Sequence, residues 1–487
     1  MLDAVKDFLH VAVGPTLYAG MWIISIVGAV RRAEWAFYLL IILIPLPTVW
    51  YRVQPFPMGH DILDLLVMGS FLGILFNRGG LQRAPSTGII VTLLVVSYVA
   101  LWNATLRYEL PLPFSTDNRL LVQWKNYAEM IFLYFIAYNI ARDEKQQKTV
   151  VAIMASVFLF IVARELRSFT AADSFSYDHR AEGPFWIVGL GSNHFGAFIA
   201  DYGSLFLGLY FFDKHKYRKW IYLAAFLAGI YPLFYTYSRG AYLAILAAVV
   251  VFGFLKKPVL LVLVAALVFT WQAVLPPTVV ERISMTEVDA NNANELEASA
   301  AHRLILWEKA KQDFEEHPLF GVGYNAFGFT VPKGELTDTH NLYMKIASEQ
   351  GVIGLAILAA ILLRAIASAW SLYRGGSSGF YRGLGLGFLG CITAVCVSNI
   401  FGDRFSYFML GSYFWIFWGF IDRARQLSRE APAADPSASP VEAPLRGLLA
   451  TPPSPVSEGA ARQSLGAPVS SRLPLDADVL WRGQRRT

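Results

Sequence analysis

The sequence predicts an all-α, polytopic transmembrane bundle of about twelve to thirteen spans with a partly helical extracytoplasmic loop. Three observations lead there. Apolar runs of roughly 20 residues recur along the chain, the length at which a helix crosses a bilayer. Short basic stretches separate them and fall on alternate loops. Charged residues make up 16% of the 487 residues, whereas a soluble domain carries about 25%. Backbone inside a bilayer must satisfy its own hydrogen bonds, so each run is expected as a helix. The short alternating segments of a β-barrel do not occur.

The first 30 residues do not read as a cleaved signal peptide, because Asp3 and Asp7 stand where a positive segment belongs. Spans are expected near 11–30, 36–50, 62–76, 88–103, 127–141, 149–168, 187–212, 220–238, 240–255, 258–276, 342–370, 383–401 and 405–422. Basic clusters at Arg31–Arg32, Arg78 and Arg83, Arg142 to Lys148, Lys214 to Lys219, Lys256–Lys257 and Arg374 to Arg382 share one side, the cytoplasm. The opposite side then receives the loop near Phe169 to Trp186, the turn Ser238–Arg239–Gly240, and residues 277–340. Twelve spans place the N-terminus inside and thirteen place it outside.

Residues 1–424 form the expected membrane domain, and 277–340 an extracytoplasmic loop within it, too long for a plain connector. Ala300 to Glu316 reads as a helix in that loop. Ser299 can cap it, Leu306, Ala310 and Phe314 recur at helical spacing, and His317–Pro318 stops it. The tail 425–487 is rich in Pro, Ala and Ser without apolar periodicity, and is expected to be a disordered cytoplasmic tail. Cys391 and Cys396 lie in one late span, which suits neither a disulfide framework nor a metal site. The net charge of +5 fits the loop bias of a membrane protein better than nucleic-acid binding.

Four segments carry polar residues at membrane edges, where ionisable groups are costly and tend to be functional. Arg239 sits in FYTYSRGAYLAIL, with Gly240 allowing a close reversal. Its plain reading is a snorkelling arginine at a helix end; its sharper one is a bidentate phosphate ligand. Arg303 and Trp307 are four apart on the loop helix and share a face, the plain reading being a solvated arginine. The following GVGYNAF turn, with Tyr324, can bring backbone N–H groups near an anion. In THNLYMKIASEQGVIGLAIL, His340 precedes Asn341, Lys345 and Glu349, a polar stripe on an otherwise apolar helix. A lone histidine is more often structural, but one that opens such a stripe suits proton transfer. In RAEGPFWIVGLGSNHFGAFIA, Arg180 ends an outer loop and Asn193, His194 and Gly196 start a span, where helix packing is the plain reading. There is no GxxxxGK[ST] loop or HExxH helix, and DANNANELE lacks the glycine of a calcium loop.

With these residues in view, the chain resembles the O-antigen ligase and O-antigen polymerase superfamily of bacterial envelope glycan transferases. The resemblance covers about residues 180–420 and rests on the order of RAEGPF…SNHFGAF, YSRGAYLA, HRLILW…HPLFGVGYNAF and HNLYMKIASEQGVIG. It implies an undecaprenyl-diphosphate-linked glycan donor at the outer face of the bacterial inner membrane, with an active site facing the periplasm. The acceptor is a glycan, lipid A–core or protein. Carried over by position, Arg239 and Arg303 bind the diphosphate and His340 is the base or orients the acceptor; Arg180, Asn341 and Tyr324 are further substrate-binding positions. Arginines in that role require no metal or other cofactor. Ligase and polymerase share the donor site; the block around His340 resembles that of exopolysaccharide polymerases. The rival from another class is a polysaccharide or lipid-linked oligosaccharide transporter or flippase. It predicts paired broken helices at mid-membrane and an internal repeat, and the sequence shows no such repeat.

Overall fold

A computed structural model of the chain describes residues 2–170, 174–285, 298–332 and 338–430. All thirteen expected runs are helical within it, and no strand occurs among the described residues. The chain opens with α1 (Leu2–Val30), α2 (Ala33–Leu43) and the single turn α3 (Pro47–Trp50). It continues through α4 (Ile62–Arg78), α5 (Thr87–Arg107), α6 (Arg119–Ile140), α7 (Glu144–Ser168), α8 (Ser192–Tyr210) and α9 (Arg218–Tyr235). Then follow α10 (Arg239–Leu255), α11 (Val259–Val274), α12 (Pro277–Ser284), α13 (Ala298–Glu316), α14 (Leu342–Gly375), α15 (Gly379–Ser398) and α16 (Phe408–Glu430). The tail expected over 425–487 lies, from 431 on, outside the described residues.

Length and composition alone qualify five helices as membrane spans, or seven if each bent pair is one span. The remaining runs are shorter or less apolar. Burial accounts for this in α8 and α16, because a helix enclosed by other helices need not match lipid. α8 and α16 are enclosed over most of their length. α8 lies against α15 so closely that a Cβ on Gly208 would stand 2.2 Å from Gly387 Cα. The bent pairs are α2–α3, at 102°, and α11–α12, at 104°. Proline explains both: Pro45 and Pro47 interrupt the first, Pro276 and Pro277 the second. The expected span 36–50 is therefore a broken one.

The segment between α11 and α14 is built onto the bundle. α13 begins at Ala298, so Ser299 stands inside the helix that it was expected to cap. Asp313 on α13 pairs with Lys309 and accepts from Ser348 on α14 and from Thr330. The turn after α13 docks backbone to backbone: Val322 N donates to Ser348 O at 2.8 Å and Gly323 N to Glu349 O at 2.9 Å. Val352 N in turn donates to Pro318 O at 2.8 Å. These bonds fill a break in α14 at Gly351, where φ is 63° and ψ −158°. Only glycine takes this conformation readily, and a Cβ there would lie 2.5 Å from the Leu319 backbone. Non-helical backbone at a helix break persists where protein covers it, and here the outer turn does so.

Candidate functional site

Arg180 precedes α8, Arg239 opens α10, Arg303 lies on α13, Tyr324 follows α13, and His340 and Asn341 precede α14. Arg239 is the first residue of α10. The reversal before it is made by Tyr237 at φ 50°, in the left-handed region, and not by Gly240. Gly240 instead gives room for Phe401, whose ring would stand 2.8 Å from an added Cβ. Arg303 lies near the start of α13 and is partly buried. Trp307, on the face expected to be shared with Arg303, donates its indole N–H to Thr339 O at 2.9 Å. That bond ties α13 to the segment carrying His340.

His340 also holds a positive φ, 50°. Non-glycine residues there are uncommon and cluster at functional sites. Its backbone N–H donates to Asp338 Oδ1 at 3.0 Å, and its Nδ1 lies 3.6 Å from Asp338 Oδ2. The ring is 37% exposed, so a reacting group can reach it. The polar stripe below is committed to the protein itself. Asn341 Oδ1 caps α14 by accepting from Tyr343 N and Met344 N. Lys345 Nζ pairs with Asp403 at 2.8 Å. The Glu349 carboxylate accepts from Asn325 N at 2.9 Å and Phe327 N at 3.4 Å. The glycine-rich turn does aim backbone N–H groups at an acidic side chain, that of Glu349. Tyr324 is buried there, its N–H given to Ala100 O on α5 and its ring beside Tyr127. With Lys345, Glu349 and Ser406 it lines a small cavity of about 30 Å³, roughly the space of a water molecule.

Arg180 sits on the loop before α8. Its Nε donates to Thr236 O at 2.8 Å and its Nη2 to Asn193 Oδ1 at 3.0 Å, joining the end of α9 to the start of α8. Two arginines that sequence reasoning passed over join this group. Arg282, on α12 beyond the proline bend, lies 5.0 Å over the rings of both Phe175 and Tyr177. Arg404 precedes α16 and is 4% exposed. It donates to the carbonyls of Asn193, Ser398 and Phe401. The signal for Arg404 was available: Asp403–Arg404 is a charged pair in the short link between two apolar runs. Arg282, in ordinary helical sequence, gave none.

Arg282 lies within electrostatic reach of three other guanidinium groups. Burial lowers the Arg282 guanidinium to about 10, aided by repulsion from Arg239, Arg180 and Arg303. Burial likewise lowers Arg180, with Arg303 adding repulsion. Arg404 falls to about 10 through burial, with Asp201 opposing the shift and Arg303 adding to it. Burial alone would raise Asp403, but the Lys345 ammonium and the hydrogen bonds from Ser406 together outweigh it and hold the carboxyl below its ordinary range. His194 feels the charges of Arg404, Asp403 and His340, and its ring stands 5.3 Å from that of Tyr407. Arg282, facing three other guanidinium charges, suits a ligand bearing several negative charges, which relieves that repulsion.

Residues 223–359 match the family model described as O-antigen ligase, which bears out the resemblance read from the sequence. No curated protein matches the chain. The matched segment holds Arg239, Arg282, Arg303 and His340; Arg180, His194 and Arg404 lie outside it.

Proposed function

We propose that this multi-pass membrane protein transfers a glycan from a polyprenyl-diphosphate carrier to an acceptor hydroxyl at the membrane surface. The O-antigen ligase match supports a glycosyl-transferring enzyme acting on lipid-linked glycan, by ligation or polymerisation. The finer reading is supported by the position of Arg282, which feels the charges of Arg239, Arg180 and Arg303.

In this reaction the acceptor oxygen bonds to the anomeric carbon, the bond from that carbon to the carrier's phosphate oxygen breaks, and the diphosphate leaves with its electron pair. Guanidinium groups already in place stabilise the charge on the leaving oxygen without reorganisation. His340 accepts the acceptor's proton, with Asp338 beside Nδ1 orienting the ring. The alternation of the basic loops supports a reading in which this end faces the periplasm.

His340→Ala and Arg239→Ala, each still inserted in the membrane, are expected to lower transfer by roughly 100-fold or more. Normal glycan length and amount in both would overturn the reading. Turnover of the purified protein is expected to survive EDTA, and loss of activity would contradict an arginine clamp. The glycan profile of a deletion strain separates the subtypes. Full-length lipid-linked chains accumulate if the enzyme is a ligase, and single repeat units if it is a polymerase.

A further inference from the structure

α8, α10 and α14 end at Tyr210, Leu255 and Gly375, and the links that follow them meet around Phe212. Lys256 Nζ lies 4.1 Å from the centre of the Phe212 ring. That ring stands edge-on to Tyr373, with 5.9 Å between centroids, and the Tyr373 hydroxyl donates to Leu255 O at 2.8 Å. Gly379, the first residue of α15, comes so close that an added Cβ would stand 2.8 Å from Phe212 O. Trp220, in the first turn of α9, lies 5.9 Å from the Tyr210 ring.

These links and their flanking turns carry Lys214, Lys216, Lys219, Lys256, Lys257 and Arg374. Residues 211–220, 251–260 and 370–382 contain one carboxylate, Asp213, and it pairs with Arg218. Other basic positions are answered from within the protein: Arg142 lies 4.0 Å from Glu34, and Lys148 pairs with Glu144. Here rings face the cations instead. Lys216 stands 5.4 Å over Tyr217, Lys219 5.1 Å over Trp220 and Arg374 5.9 Å over Trp370. All three rings are exposed. α11, which follows Lys257, has no buried residue.

We infer that this patch binds anionic phospholipid head groups of the bilayer leaflet at this end, favouring lipids with two phosphates over lipids with one. Loop charge that only orients a span acts segment by segment. Here packing gathers the charge of three links in one place and leaves no acid to answer it. Exposed Tyr and Trp sit at the head-group level of a bilayer, and α11 continues that surface into lipid, so the nearest phosphates are those of the membrane. Ammonium groups on flexible stems can follow a mobile phosphate, and a cluster of about four to eight basic residues is of the size that holds anionic lipid. Arg239 opens α10 and Lys256 follows its end, a helix of 17 residues, or about 25 Å. Lipid binding at the patch is therefore measured independently of glycan transfer.

The test uses the full-length protein in detergent micelles and counts bound cardiolipin, phosphatidylglycerol and phosphatidylcholine by native mass spectrometry. The wild type is expected to bind them in that order, with roughly ten-fold or more between the first and the last, and to lose the difference as salt rises. Lys256→Gln with Lys257→Gln is expected to weaken cardiolipin by roughly ten-fold and phosphatidylcholine not at all. Lys214→Gln with Lys216→Gln gives the same test if that pair fails to insert. Arg31→Gln with Arg32→Gln, on another basic loop, is expected to leave the order unchanged. An anionic preference equal to the wild type in both lysine pairs overturns the site. An equal loss in the arginine pair reduces the preference to the general charge of the loops and overturns it as well. Displacement of cardiolipin by inorganic phosphate or poly-glutamate as readily as by phosphatidylglycerol assigns the lysines to a soluble anion or an acidic protein, and the lipid reading falls.

Discussion

At the scale of single residues, the site is made of groups that are individually costly and collectively useful. Arg404 is buried and spends its fork on three carbonyls while remaining close enough to repel Arg303. A lysine keeps the charge but not the planar fork. Arg404→Lys is therefore expected to lower turnover by about 10- to 100-fold, measured as initial rate on the purified protein. Asp403 illustrates a support. Its carboxyl is held below the ordinary range by Lys345 and Ser406, so its ionised form stabilises the fold above the unfolded value of about 3.9. That stability is lost as pH falls through the lower folded value. The thermal midpoint is expected to drop in this acid window in the wild type and much less in Asp403→Asn. The substitution itself, leaving Lys345 without its partner, is expected to cost about 3 kcal/mol at neutral pH.

At the scale of elements, the break in α14 decides how the site is assembled. A continuous helix from 342 to 375 would leave the turn after α13 without carbonyls to bind. The turn and the break satisfy one another, and Glu349 locks them by accepting from Asn325 and Phe327. Gly351→Ala places a Cβ against Leu319 at a φ of 63°, a strain of about 1–3 kcal/mol. It is expected to lower the thermal midpoint and to expose the 317–332 segment to protease. Protection equal to the wild type would mean that the docking tolerates a regular helix. Tyr237, Asn325 and His340, each at positive φ, mark the three joints where backbone conformation aims the site.

At the scale of the whole molecule, the bundle gathers residues spread from Arg180 to Arg404. Its orientation is open to a direct check. Asp178→Cys, at the arginine end, is expected to react with an impermeant thiol reagent in intact cells. Lys214→Cys, in a basic loop, is expected to react only after permeabilisation. Labelling in the reverse sense would invert the membrane topology and remove the periplasmic assignment. The native Cys391 is buried and Cys396 partly so, which keeps the background low.

The sequence by itself determined the all-α membrane bundle and the place of its helices. Hydropathy and loop charge are local quantities, and a bilayer imposes its length and sign rules on each segment separately. Arg239 and His340 were legible as candidates for the same reason: each is polar at the edge of an apolar run. The tertiary structure alone decided the recruitment of Arg282 and Arg404, the retreat of Asn341 and Glu349 into structural bonds, and the meeting of three basic links around Phe212. These depend on which helices touch. Contact is set by packing between segments far apart in the chain, such as Gly208 against Gly387 or Gly323 against Ala104, and no periodicity within one segment encodes its partner.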